Sequence, residues 1–220
     1  MQIFAHFSLI CAEKREKKGF INILKMKKIA ILASGNGTNA EQMVHHFENH
    51  PKATVALILT NRQQAYVLER AKRLGVPAFY FNKEQWSEGH EVLALLRQYE
   101  IDFVVLAGFL AYVPQVVLSC YNHRMVNIHP SLLPKFGGKG MYGDRVHEAV
   151  IEAGEKESGI TIHYTNEHYD EGTIICQERC PVMPDDTPES LATRVHQLEY
   201  KYYPMVVERL VCEALTTATR

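Results

Sequence analysis

The sequence carries almost no excess charge of either sign. Over 220 residues, 24 Lys and Arg face 25 Asp and Glu, a formal net charge of −1. So balanced a chain has no global field to hold a nucleic acid or an anionic membrane surface, and its expected partners are small molecules. Paired cysteines are missing as well. Cys11, Cys120, Cys176, Cys180 and Cys212 form an odd set without a C-x-x-C pair. That argues against a disulfide frame or a zinc knuckle and for a reducing compartment, the cytoplasm. The longest stretch free of Asp, Glu, Lys and Arg, 103–123, is interrupted by Gly108, Pro114, Gln115, Ser119 and Asn122. It reads as a buried strand, loop and helix rather than a membrane span. Internal repeats and low-complexity tracts are absent too, and 46% hydrophobic with 22% charged residues is ordinary soluble globular composition.

What charge there is lies unevenly. Residues 1–28 hold seven basic and two acidic residues, leaving 17 basic and 23 acidic for the rest, a balance of −6. The apolar pieces of this stretch are split by Glu13-Lys14-Arg15-Glu16-Lys17-Lys18, which is not the order of a secretory signal, and its acids disfavour a mitochondrial presequence. Residues 1–25 read as an N-terminal extension or a misassigned start, with Met26 as an internal candidate start and 26–214 as one domain.

From Lys27 onward, apolar β-rich runs alternate with helix-period segments. This pattern predicts an α/β fold, an open and mostly parallel twisted sheet with helices on both faces. Strands are expected at 29–33, 54–59, 78–81, 103–106 and 125–128, and helices at 40–47, 65–74 and 84–99. The segment 129–143 holds Pro130, Pro134 and four glycines and is expected to be a loop. Beyond it, 159–164 and 173–182 read as an antiparallel pair joined by a turn at Asp170-Glu171-Gly172. Thr187 caps a long helix to about Ala214, with a kink expected at Pro204.

Two places carry chemistry. The first is Ser34-Gly35-Asn36-Gly37-Thr38-Asn39 between the first strand and its helix. Glycines there let backbone N–H groups approach an anion, and the helix N-terminus adds a favourable dipole, so a phosphate is the natural guest. Gly35, Gly37 and Ala40 also satisfy G-x-G-x-x-A. That keeps open an NADP-dependent oxidoreductase or a plain nucleotide-binding module, with Arg62 in place of the acid that NAD would require. No G-K-[ST] follows, which excludes an ordinary P-loop.

The second is Asn127-Ile128-His129-Pro130-Ser131-Leu132-Leu133-Pro134. Asn127 and His129, two residues apart at a strand end, project to the same side at the carboxyl edge of the sheet, where open α/β sheets bind ligands. An amide beside an imidazole can stabilise an oxyanion or steer a proton. Further on stand His163 in Gly159-Ile160-Thr161-Ile162-His163-Tyr164 and, at the turn, Asp170. His129, His163 and Asp170 could be imagined as metal ligands, but close ligand spacing is lacking, and proton chemistry without a metal is the expectation.

Together these motifs resemble the phosphoribosylglycinamide formyltransferase family, folate-dependent enzymes of purine synthesis, and the resemblance runs from Lys27 to about Leu210. It implies transfer of the formyl group of 10-formyltetrahydrofolate, a co-substrate, to the amine of glycinamide ribonucleotide, with no metal, by a monomer or homodimer. Asn127, His129 and Asp170 would be catalytic, and Gly35, Asn36, Gly37, Thr38 and Asn39 would hold the substrate phosphate. Glu199 would hold the ribose, while Leu106, Leu110, Ala111, Tyr112 and Val113, with Asp170, would hold the folate, and His163 and Gly172 would support the site. Formyltetrahydrofolate deformylases look alike in the catalytic part but add an N-terminal regulatory domain, for which the residues before Met26 are too few. Methionyl-tRNA formyltransferases carry a further C-terminal domain and lack the Gly-Asn-Gly loop. The chain departs from the commoner pattern at the glycine-rich 137–143, at Ala111 and at His196, where Gln is frequent. It also lacks an Arg near Asn82, for which Lys83 or Lys139 is the candidate substitute.

Overall fold

The computed structural model describes residues 25–217, with the side chains of 25–213 placed. The expected extension over 1–25 lies, but for Lys25, outside the described residues. Seven strands form one sheet: β1 (Lys27–Leu32), β2 (Ala53–Thr60), β3 (Ala78–Tyr80), β4 (Phe103–Leu106), β5 (Met125–His129), β6 (Glu157–Tyr164) and β7 (Ile174–Pro181). Their order is β3-β2-β1-β4-β5-β6-β7. From β3 to β5 every neighbour is parallel, whereas β6 runs antiparallel to both β5 and β7. The chain therefore reverses its direction of travel across the sheet between β1 and β4, and the crevice at their carboxyl ends is the switch point where such sheets bind ligands.

Among the described residues seven helices cover the sheet: α1 (Thr38–His46), α2 (Val67–Arg73), α3 (Lys83–Glu88), α4 (His90–Gln98), α5 (Gln115–Cys120), α6 (Asp144–Glu152) and α7 (Pro188–Thr217). Successive strand side chains point to opposite faces, so the period-2 pattern builds two cores. Ile29, Ile31, Phe103, Val105, Ile160 and Ile162 pack on one face with residues of α1, α2 and α7. Ala30, Leu32, Leu57, Leu59, Val104 and Met125 pack on the other with Trp86, Val92, Leu96 and Val117. Across the first face, the buried Tyr203 of α7 donates its hydroxyl to the Leu106 and Val126 carbonyls at 2.8 and 3.2 Å, tying the helix to β4 and β5.

Most elements fall within two residues of expectation, and the exceptions have local causes. The helix expected over 84–99 is two helices, because Gly89 adopts φ 72 between them and Asn82 opens the first with a capping box to Gln85. Helix α6 was not expected: its buried stripe is Val146, His147 and Val150, and the histidine hides it from a hydrophobic pattern. Helix α7 starts as predicted, with Thr187 and Ser190 bonding each other's backbone N–H, but it runs helical through Pro204 to Thr217.

Candidate active site

The antiparallel turn of the chain at β6 assembles the polar centre. Asn127 pairs across the sheet with His163, and His129 with Thr161, so four polar side chains share one face at the end of β5. Asp170 meets them from the β6–β7 loop, held at φ 58, a left-handed conformation that Asp tolerates better than most residues. Gly172 lets that loop pass, since a Cβ there would stand 1.5 Å from the Tyr164 carbonyl oxygen.

Hydrogen bonds fix the protons. His163 faces the Tyr164 carbonyl with Nδ1 at 2.9 Å, which makes Nδ1 the donor and leaves Nε2 to accept from Asn127 Nδ2 at 3.2 Å. Asn127 turns its other N–H to Asp170 Oδ1 at 3.3 Å. His129 donates from Nε2 to the Phe136 carbonyl at 2.7 Å and presents Nδ1 to Asp170 Oδ2 at 3.4 Å. Oδ2 also accepts the Gly138 backbone N–H at 2.9 Å. Burial alone would raise the Asp170 pKa, but the His163 and His129 rings and the Gly138 N–H outweigh it and hold the carboxyl below its usual range. At His129 burial is the largest influence and pushes the imidazole down, against the opposing pull of Asp170 and the Phe136 carbonyl. Burial thus outweighs the carboxylate, and the resting ring favours neutrality. Likewise, neither His129 nitrogen is free to meet an incoming oxyanion in this arrangement.

This centre opens into a cavity of about 620 Å³ that brings the predicted elements together. Gly35, Asn36, Gly37, Thr38 and Asn39 line one end, with Glu199, His147 and His196. Gly37 takes φ 77, and a Cβ on it would stand 2.4 Å from Val67 Cγ2, so glycine is required for the loop to nestle against α2. Asn39 donates its side-chain amide to Glu199 Oε2 at 2.8 Å. Burial raises the Glu199 pKa, and that hydrogen bond opposes the rise. Leu106, Leu110, Ala111, Tyr112 and Val113 line the other end, where the Trp86 indole N–H holds the Tyr112 carbonyl at 2.6 Å. Ser34 links the two ends: its Oγ bonds Asn61 Oδ1 at 2.6 Å and accepts the Leu110 N–H at 2.8 Å.

A formyl transferase family model matches residues 27–207. The chain belongs to the formyl transferase family. Among its relatives, phosphoribosylglycinamide formyltransferase of Bacillus subtilis is 37% identical over 84% of this chain and 95% of its own length. The chloroplastic phosphoribosylglycinamide formyltransferase of Arabidopsis thaliana is 41% identical over 86% of this chain. The chain spans just under two thirds, 66% and 62%, of the length of the Arabidopsis and Vigna unguiculata relatives. The crystal structure of phosphoribosylglycinamide formyltransferase from Anaplasma phagocytophilum superposes with a TM-score of 0.78 at 33% identity, covering 86% of this chain and 89% of that one.

Within this formyl transferase, some predicted residues stand away from the cavity. Arg62, on which the NADP reading rested, does not line it, nor does Lys83, whereas Lys139 does. Gly172 acts on the site only through the loop it permits. Sequence reasoning missed two residues. Arg70 grips the Gly35–Asn39 loop, its Nε donating to the Asn36 carbonyl at 2.8 Å, its Nη2 to Asn36 Oδ1 at 3.0 Å and its Nη1 to Glu41. Its spacing on a helix face next to the Gly-rich loop was the available signal. The other, His147, went unseen with its helix. Among the described residues no group of three or more His, Cys, Asp or Glu could hold a metal ion, and no helix is long and apolar enough to cross a membrane.

Proposed function

We propose that this formyl transferase carries the formyl group of 10-formyltetrahydrofolate to the primary amine of glycinamide ribonucleotide, a step of purine biosynthesis. The observation that carries the reading is one cavity lined together by Asn127, His129 and Asp170, by a glycine-rich helix N-terminus and by an apolar loop. A phosphate fits Gly35–Asn39, with the ribose at Glu199, and the flat apolar body of the folate fits beside Leu110 and Val113. The reacting amine and formyl carbon then meet at the end of β5.

Amine attack forms the C–N bond and turns the formyl oxygen into an oxyanion. Asn127 Nδ2 answers that charge by turning one N–H from its long contacts with His163 and Asp170, at 3.2 and 3.3 Å, to the oxygen. As negative charge grows beside it, His129 gains proton affinity, and its Nδ1 shares the proton that Asp170 takes from the new ammonium. The new ammonium loses its proton to Asp170, and folate N10 receives one as its bond to carbon breaks. His163, anchored by its Nδ1 contact with the Tyr164 carbonyl, orients Asn127. We assign residues 26–214 to one domain, a monomer or homodimer, needing no metal. The cytoplasm is the compartment that suits Cys120, Cys176, Cys180 and Cys212, all free thiols.

The test is 10-formyltetrahydrofolate consumption with and without glycinamide ribonucleotide. Consumption that requires the ribonucleotide is the expected result. Equal consumption in its absence would make water the acceptor and the protein a deformylase.

A further inference from the structure

Three buried side-chain atoms among the described residues have no hydrogen-bond partner, and two of them, Asn39 Oδ1 and His147 Nδ1, belong to residues lining one end of the cavity. His147, on α6, is 1% exposed. Its ring stands edge-on to His196 with centroids 6.5 Å apart, and His196 in turn stacks on Tyr200. The residue lies within electrostatic reach of His196, Asp144 and His129, and it lines the same cavity as Glu199 and Asp170.

The ring's chemistry follows from what surrounds it. Burial, the largest influence, and His196 next bring the imidazole down to about 4, so it is neutral at pH 7 and carries one N–H and one lone pair. Nδ1 faces no acceptor. A buried N–H without a partner is rarer in folded proteins than an acceptor with unused capacity, so the proton belongs on Nε2 of this cavity-lining residue. The neighbouring groups are of the opposite kind: Glu199 and Asn39 Oδ1 can only accept. This end of the cavity therefore suits a ligand with hydroxyls to give and one oxygen to receive.

We propose that His147 is a positioning residue for the acceptor substrate, a neutral Nε2–H imidazole that donates a hydrogen bond to an oxygen on the arm joining ribose to amine. The inference rests on the acceptor reading given above and adds the residue that aims the amine. A neutral donor is required at this place because an imidazolium beside His129 would oppose the proton that His129 gains during the reaction.

The test combines binding and spectroscopy. Calorimetric titration with glycinamide ribonucleotide alone compares the wild type with His147→Leu, which removes the N–H, and His147→Gln, whose amide can place an N–H near Nε2. A neutral hydrogen bond corresponds to about five- to tenfold in affinity. His147→Leu is expected to lose that much, His147→Gln to recover most of it, and the KM for 10-formyltetrahydrofolate to stay within about twofold. Equal binding by wild type and His147→Leu, or equal loss in both variants, overturns the proposal. Nitrogen-15 NMR of the wild-type imidazole supplies a readout independent of any variant's folding. A single Nε2–H tautomer from pH 6 to 8 is expected, and an Nδ1–H or doubly protonated ring overturns the assignment. Failure of the wild type to bind the ribonucleotide would instead overturn the proposed function, and the proposal with it.

Discussion

The two polar regions of the cavity differ in how completely the protein satisfies them. Around Asp170 the protein supplies its own partners: Asn127, His129, His163 and Asp170 bond one another or nearby backbone. At the other end Asn39 Oδ1 and His147 Nδ1 are unpartnered, and Glu199 has one neutral donor, the Asn39 amide, in a setting that penalises its charge. A preorganised centre needs little reorganisation when charge develops, so its residues should govern turnover. An end with unused hydrogen-bonding capacity is completed by ligand, so its residues should govern affinity.

Asp170→Asn gives the largest effect. Asn keeps the left-handed backbone at φ 58 and the shape, but removes the charge that faces two imidazoles and the group that moves the proton. Loss of general acid–base chemistry costs about 10²- to 10⁴-fold, and kcat is expected to fall by at least about 10³ while ribonucleotide affinity changes severalfold at most. Steady-state kinetics and equilibrium binding separate the two, and an unchanged kcat would reduce Asp170 to a turn residue. Next comes Asn127→Ala, for which the loss of one oxyanion donor predicts about 10² to 10³ in kcat. A fall of less than about tenfold would remove it from that role.

Glu199→Gln tests the opposite end. A charge-assisted hydrogen bond becomes a neutral one, and ribonucleotide affinity is expected to fall about tenfold with kcat less affected. The same contrast appears in pH. Burial raises Glu199, so its charge is lost above the 4.5 of an ordinary glutamate, whereas the imidazoles and the Gly138 N–H hold Asp170 below 3.8. As pH falls, the KM for the ribonucleotide should therefore rise before the Asp170 charge is lost. In a pH series of initial rates, a kcat that declined first would break the division between the two ends.

Much of this arrangement is readable from the chain, because the informative signals are local. Runs such as 29–33 and 103–106 declare buried strands, Gly35 and Gly37 a tight strand-to-helix turn, and Asn127 with His129 a polar strand end. The missing parts depend on contacts distant in sequence. Nothing local tells that β6 runs antiparallel to β5, yet this alone puts His163 opposite Asn127. The Phe136 carbonyl that occupies His129 Nε2 lies in a glycine-rich loop without periodic pattern. The Asn39 to Glu199 bond joins residues 160 apart. Fold class and the motifs that line the cavity are thus legible, while proton positions and the division between the cavity's ends are not.

The smallest effect belongs to the residue beneath both ends. Tyr203 is 0% exposed and shares one hydroxyl hydrogen between the carbonyls of Leu106, behind the apolar loop, and Val126, next to Asn127. Tyr203→Phe keeps the ring's packing and leaves two carbonyls short of a partner, at a cost of about 1–2 kcal/mol. For a domain of this size that is a Tm lower by about 2–8 °C. Because the hydroxyl braces β4 and β5 together and favours neither end, kcat and both KM values should stay within about twofold. A selective loss of kcat would mean that the catalytic centre is held in register by α7 from below, so that its preorganisation does not reside in its own hydrogen bonds alone.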